Sequence, residues 1–226
     1  MCGRFTLATP DPSQLRARFP IGERLEVRRR FNVAPGDDVL AVVRRPQSEP
    51  EGALLRWGLV PYWADDPRDL AAKTINARAE TVAERPAYRD AFARRRCLIL
   101  ADGFYEWSAG TPHWITREDG EPFAFAGLWA SWRPRDIDDV EPLRSCAIVT
   151  TAAAGPVREL HDRMPVILPS VEEERWLDPD APVQELHELL SPTGPPLATR
   201  PVSRAVNDAR HDAPDCLDPP EQASLF

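Results

Sequence analysis

Lysine is nearly missing from this chain. Of its 28 basic residues only Lys73 is a lysine, so any Schiff base formed on a side-chain amine has one place to go. No apolar stretch is long enough to cross a bilayer, and the N-terminus lacks the charged start and apolar run of a secretory signal. The expectation is a cytoplasmic protein with no membrane partner. Cysteines are few and far apart: Cys2, Cys97, Cys146 and Cys216 form no C-x-x-C pair, which excludes a zinc ribbon and a disulfide scaffold and makes reduced thiols the default. The scattered Cys and His residues give no tetrahedral set by spacing, and no nucleotide-binding loop occurs, so no metal, cofactor or nucleotide is expected.

What is present is bulk, proline and arginine. At 226 residues, with seven Trp and eight Phe, the chain can bury a sizeable core. The net charge of −8 argues at first against a nucleic-acid partner. The charge is unevenly spread, however. Residues 1–110 hold 18 basic against 15 acidic residues, and residues 111–226 hold 10 against 21. Arginine's planar fork suits bidentate phosphate contacts, although a coding bias toward arginine is the favoured account of the composition.

Alternating and β-rich runs dominate: CGRFTL, DVLAVV, ALLRWGLV, RCLILADGFYEW, PFAFAGLWASW, SCAIVTT, MPVILP and RPVSRAV each read as a strand or strand pair. Helical spacing is confined to short segments: DPSQLRARF, with Asp11 and Pro12 in cap and first-turn positions, then RPAYRDAF, GPVRELHDR, SVEEERWL and VQELHELL. DDPRDLAAK reads as an exposed loop or short helix. Twenty-five prolines punctuate the connections. The pattern predicts an α+β fold, a single domain of curved, mainly antiparallel, barrel-like sheet with short helices around it. That domain is expected over 1–207, followed by a polar, proline-rich and loosely held tail over 208–226.

Several stretches carry residues able to do chemistry. The chain opens MCGRFTL. Removal of Met1 would leave Cys2 with a free α-amine and a thiol on one residue, and both are partly available near neutral pH. An aldehyde could form an imine with the amine and be closed by the sulfur into a thiazolidine. The alternative is a small apolar residue starting a buried strand. In TINAR, Asn76 and Arg78 share a face if extended, offering an orienting amide and an anion-binding fork. ADGFYEW sets Asp102 and Glu106 after an apolar run, where a carboxyl tends to hold its proton as a general acid must; a solvated hairpin end is the other reading. In ELHDRMP, His161 is suited to proton transfer, or to capping a helix end. RWGLVPYW and FNVAPG place Trp57, Tyr62, Trp63, Asn32 and Pro35 in strand ends and loops, where such residues stack on bases or simply pack.

MCGRF, FNVAPG, RWGLVPYW, INARAET, ADGFYEW, CAIVTTAA, LHDRMPVIL and PVSRAVN occur here in an order that resembles the SRAP (SOS-response-associated peptidase) family, whose members process abasic sites. The resemblance runs from Cys2 to about Asn207. It implies capture of the ring-opened sugar aldehyde in single-stranded DNA through the N-terminal cysteine, giving a thiazolidine DNA–protein crosslink that shields the lesion in the DNA damage response. By motif, Cys2 would be the nucleophile, Asn76 would orient sugar and amine, Glu106 would act as acid or base, and His161 would assist at the sugar oxygen. Arg4, Arg78 and Arg163 would hold phosphates, Pro35 and Trp63 would form a wedge beside the lesion, and Asn32, Arg85 and Thr150 complete the implied DNA surface. The partner is single-stranded DNA with abasic sites, and a monomer is expected.

The longer loop ADDPRDLAAKTI between Trp63 and Asn76 departs from the family pattern and puts the DNA path beside Trp63 in question. Two rivals share the residues. One is an N-terminal-nucleophile peptidase whose visible activity is removal of Met1; the other is a non-covalent sensor of single-stranded DNA. A lyase activity accompanying the crosslink is left open.

Overall fold

The computed structural model describes residues 2–8, 11–135, 139–192 and 194–221. In chain order it contains β1 (Phe5–Leu7), α1 (Pro12–Arg18), β2 (Arg30–Val33), β3 (Asp38–Val43), β4 (Glu51–Trp57), α2 (Pro67–Ala71) and β5 (Asn76–Arg78). These are followed by α3 (Arg89–Arg94), β6 (Arg96–Ala101), β7 (Gly103–Ser108), β8 (Thr111–Arg117), β9 (Phe123–Trp132) and β10 (Leu143–Ala152). β11 (Arg163–Pro165), β12 (Ile167–Leu168), α4 (Glu173–Leu177), α5 (Val183–Glu188) and β13 (Leu197–Pro201) complete the set.

Five strands, ordered β10-β4-β3-β6-β9, close on themselves because β9 also pairs with β10. All of these pairings are antiparallel except β4 with β10. Closure removes the sheet edges that would otherwise need cover. It also lets β3 and β6 bury both faces, while β4 leaves Leu54 and Arg56 exposed. Val39, Ala41, Leu55, Cys97, Ile99, Phe125 and Ile148 pack together as one alternating set, while Leu40, Val42, Leu98, Leu100 and Val149 form the other, under Leu15, Phe92, Trp176 and Leu186 of the helices. Each such large side chain contributes about 1.5–3 kcal/mol on burial. The second sheet runs β13-β8-β7-β1-β2. The domain is therefore α+β and mainly antiparallel, as the alternation predicts.

β1 ties the two sheets together. Its Phe5 ring lies 5.2 Å from Trp57 and 5.7 Å from Phe125, and Cys2 is fully buried in the same cluster. Thr6 Oγ1 donates to Asp102 at 2.5 Å and Ala8 N–H donates to the other Asp102 oxygen at 2.9 Å. Trp114 Nε1 in turn donates to Thr6 Oγ1 at 3.0 Å. Gly103 is required beside this clasp, since a Cβ there would lie 2.2 Å from Trp114 Nε1. Asp102 is thus a structural carboxylate rather than part of a solvated hairpin end.

Three local expectations change. RPVSRAV is strand only to Pro201, after which the Ser203 hydroxyl accepts from Ala205 N–H and starts a 3-10 turn over Arg204–Asn207. GPVRELHDR forms a 3-10 turn, Gly155–Glu159, that ends before His161. The segment after Asn207 is not loosely held through Asp218. Asp212 accepts from Phe31 and Asn32 N–H and pairs with Arg30, while Cys216 is buried with Tyr105, Val202 and Val206. Aspartate supplies the acceptors that the open edge of β2 lacks.

Candidate functional site

The track taken by β4 along β10 is interrupted, and the interruption makes the site. β4 ends at Trp57 opposite Cys146, and β5 resumes the same parallel pairing at Asn76 opposite Ile148. Residues 58–75 leave as a loop pinched at its base by Thr74, whose hydroxyl lies 2.6 Å from Leu59 O and 2.8 Å from Leu70 O. Gly58, at φ +128°, permits the exit, because a Cβ there would sit 2.6 Å from Ala71 O. The acidic start of this loop is ordered too: Asp66 caps α2 through Arg68 N–H, and Arg135 pairs with Asp65 at 3.2 Å.

Asn76 is thereby set at a break in the barrel wall, beside the start of the chain. Its Nδ2 donates to Cys2 O at 2.7 Å, and Tyr88 Oη donates to the Asn76 carbonyl at 3.0 Å. Asn76 Oδ1 is buried with no partner among the described residues. An orphaned acceptor costs about 1–3 kcal/mol, a cost that an incoming donor would relieve. Cys2 Sγ lies 3.7 Å from the Arg4 carbonyl, and burial together with the charge of Glu106 pushes the thiol far up from its ordinary value. Glu106 lies on β7 and is 3% exposed. Burial pushes its carboxyl up, and His161 pulls it part of the way back. Cys2, Asn76, Glu106 and His161, scattered over 160 positions of sequence, therefore converge on one place, with Cys2 and Glu106 buried and Asn76 and His161 half-buried.

His161 precedes β11. Its Nδ1 accepts the Arg163 N–H at 2.9 Å. Asp162 lies 2.8 Å from the same Nδ1 and stands ready to pair with the imidazolium.

The arginines divide. Arg78 and Arg85 are exposed. Arg163 is only 13% exposed in its side chain; it forks onto Glu80, with Nη2 3.0 Å from Oε2, and also donates to Thr150 O at 2.6 Å. Arg4 donates to Asn32 Oδ1 at 3.0 Å and to Val206 O at 2.7 Å. Asn32 and Thr150, implied as parts of the DNA surface, are both fully buried. Asn32 Nδ2 is shared among the carbonyls of Val206, Asp208 and His211, and so anchors the C-terminal segment and Arg4 rather than facing solvent. Thr150 meets the surface only through Arg163. Pro35 is exposed, in a turn tied to the end of β4 by Gly36 N–H to Trp57 O at 2.8 Å. Trp63 is 38% exposed and Tyr62 beside it 60%. Glu80 was not singled out from the sequence, although it stands within INARAET; its pairing with Arg163, 83 residues away, leaves no local signal.

Two other features lie apart from this convergence. A cavity of about 350 Å³ lined by Phe5, Leu7, Val33, Leu40 and Leu100 includes none of the four convergent residues. His211, Asp215 and Cys216 have ligand atoms within 4.8 Å of one another, but His211 Nε2 already pairs with Asp215 at 2.7 Å, and the group clasps the C-terminal segment.

The family model for SOS response associated peptidase (SRAP) matches residues 1–209. The abasic site processing protein YoqW of Bacillus subtilis is 36% identical over 228 residues, covering 96% of this chain and 99% of that one. The abasic site processing protein HMCES of Gallus gallus is 36% identical over 194 residues, 74% of this chain and 57% of its own. A crystal structure of a Bordetella bronchiseptica protein superposes with a TM-score of 0.76 at 29% identity, over 89% of this chain and all of the other. The chain belongs to the SOS response associated peptidase (SRAP) family.

Proposed function

We propose that this protein processes abasic sites in DNA by covalent capture of the ring-opened sugar through Cys2. The observation that carries the reading is the Asn76 bond to the Cys2 carbonyl, which holds the first residues of the chain against Glu106 and His161. With Met1 removed, the Cys2 amine adds to the C1′ aldehyde and expels water, giving an imine. The thiol then adds across the C=N bond, and its proton ends on the ring nitrogen of a thiazolidine. One water is lost overall. Single-stranded DNA is the favoured substrate, because Pro35 and Trp63 project from neighbouring loops where a second strand would stack, and Arg78 and Arg85 lie open for phosphates.

The thiol's environment sets the order of events. A buried thiol held protonated is a poor first nucleophile, whereas the amine needs only the fraction deprotonated near its pKa of ~8. Once the protonated imine forms, its positive charge beside Sγ favours the thiolate and closes the ring. Glu106, whose carboxyl burial pushes up, supplies a proton to the departing oxygen; His161 moves protons at the sugar oxygen. Asn76 Oδ1 offers the acceptor for an amine or hydroxyl donor. The same thiol environment counts against a general cysteine peptidase, whose nucleophile needs a depressed pKa.

The test is formation of a denaturation-resistant adduct with a single-stranded oligonucleotide carrying one abasic site. It should vanish when the sugar aldehyde is first capped with methoxyamine. An adduct that survives capping would refute the aldehyde chemistry.

A further inference from the structure

Glu80 takes no part in the chemistry above, yet it occupies the arginine best placed to meet a phosphate beside His161. It lies on the turn after β5, and its two oxygens face the two terminal nitrogens of Arg163, in the geometry a phosphate would adopt. Arg163 holds its carboxyl below the usual carboxylate range. The two partners are not equally tethered. The Arg163 guanidinium is fixed from below by Thr150 O at 2.6 Å and Thr150 Oγ1 at 3.3 Å, and its side chain is 13% exposed. Glu80 is 52% exposed in its side chain. If the pair opens, Glu80 is the partner that swings into water while Arg163 stays.

We propose that Glu80 is a stand-in for a backbone phosphate at Arg163, displaced when DNA binds. This rests on the proposed function and adds a specificity-determining residue to it. With Glu80 half in water, its pairing with Arg163 is screened and worth little, so exchanging one anion for another at Arg163 is close to balanced. A lone anion gains almost nothing by the exchange. A strand that also engages the open Arg78 and Arg85 gains from every contact, so the pair raises the requirement for a continuous phosphate backbone. It also keeps the Arg163 fork oriented, and its backbone N–H on His161, while no DNA is bound.

The experiment measures non-covalent affinity, by fluorescence anisotropy, for a single strand carrying a tetrahydrofuran abasic analogue that has no aldehyde. Glu80→Gln should tighten binding about two- to fivefold, and Arg163→Ala should weaken it. In the Arg163→Ala chain, Glu80→Gln should have no effect, since the double-mutant cycle isolates their coupling. Glu84→Gln, on the same turn, controls for loss of one negative charge and should leave affinity nearly unchanged. The proposal is overturned if Glu80→Gln weakens binding, or if its gain persists without Arg163. A wild-type chain that binds normally while these cycles fail leaves the proposed function standing; one with no affinity at all removes both.

Discussion

Asp102 and Glu106 stand four residues apart around one hairpin strand, each 3% exposed, and they do opposite work. Asp102 is at the clasp end of β1, where Thr6 Oγ1 and Ala8 N–H satisfy its two oxygens. Glu106 is at the end where the chemistry is proposed, among Cys2, Asn76 and His161, in a place whose burial pushes its carboxyl up. Burial therefore does not distinguish a structural carboxylate from a reactive one. The surroundings do: two fixed donors tie Asp102 to β1, while Glu106 sits beside a thiol and an imidazole with its carboxyl pushed up, the setting the proposed proton donor requires.

The largest separation of the two ends should come from Glu106→Gln. Crosslinking should slow about 10²- to 10⁴-fold, the usual worth of a positioned acid or base, measured by quenched time courses on denaturing gels. Stability should hold or rise. A carboxyl whose folded pKa is raised costs stability once the pH exceeds its unfolded value, and glutamine removes that cost. The wild-type rate should climb with the amine's deprotonation and fall as Glu106 loses its proton, and the fall should be absent from the glutamine chain. A variant that keeps the wild-type rate and profile would remove Glu106 from the mechanism.

Asp102→Ala should do the reverse. It leaves the Thr6 hydroxyl and Ala8 N–H without their acceptor, at about 1–3 kcal/mol for each buried group, read from urea unfolding. The crosslinking rate per folded molecule should stay within about threefold. A large rate loss with unchanged stability would mean that the two ends are not separate. The smallest effect belongs to the rim. Arg78→Ala should weaken strand binding a few-fold and reduce the salt slope by about 0.7, while the rate at saturating DNA stays the same.

Much of this was legible in the sequence. The apolar runs DVLAVV and RCLILA read as strands, and Asp11-Pro12 marks the start of α1, where Gln14 completes a capping box. TINAR carries Asn76 and Arg78 on one face because the segment is extended, as expected. Other features were hidden for physical reasons. β8 is closed by a tight turn with positive φ at Ala109 as well as Gly110, and alanine does not advertise that conformation. The burial of Asn32 and Thr150 comes from Val206, Asp208, His211 and Arg163, partners far along the chain. Asp212 lies in a polar, proline-rich stretch that reads as tail, and only the unpaired edge of β2 gives its carboxylate a task.

The most direct test of the account is intact mass spectrometry of the processed chain after incubation with a single strand bearing one abasic site, beside Cys2→Ala and a chain retaining Met1. The account predicts a covalent species at protein plus oligonucleotide minus one water for the processed wild type, and none for either control. The same adduct on Cys2→Ala, or none on correctly processed protein, would contradict it.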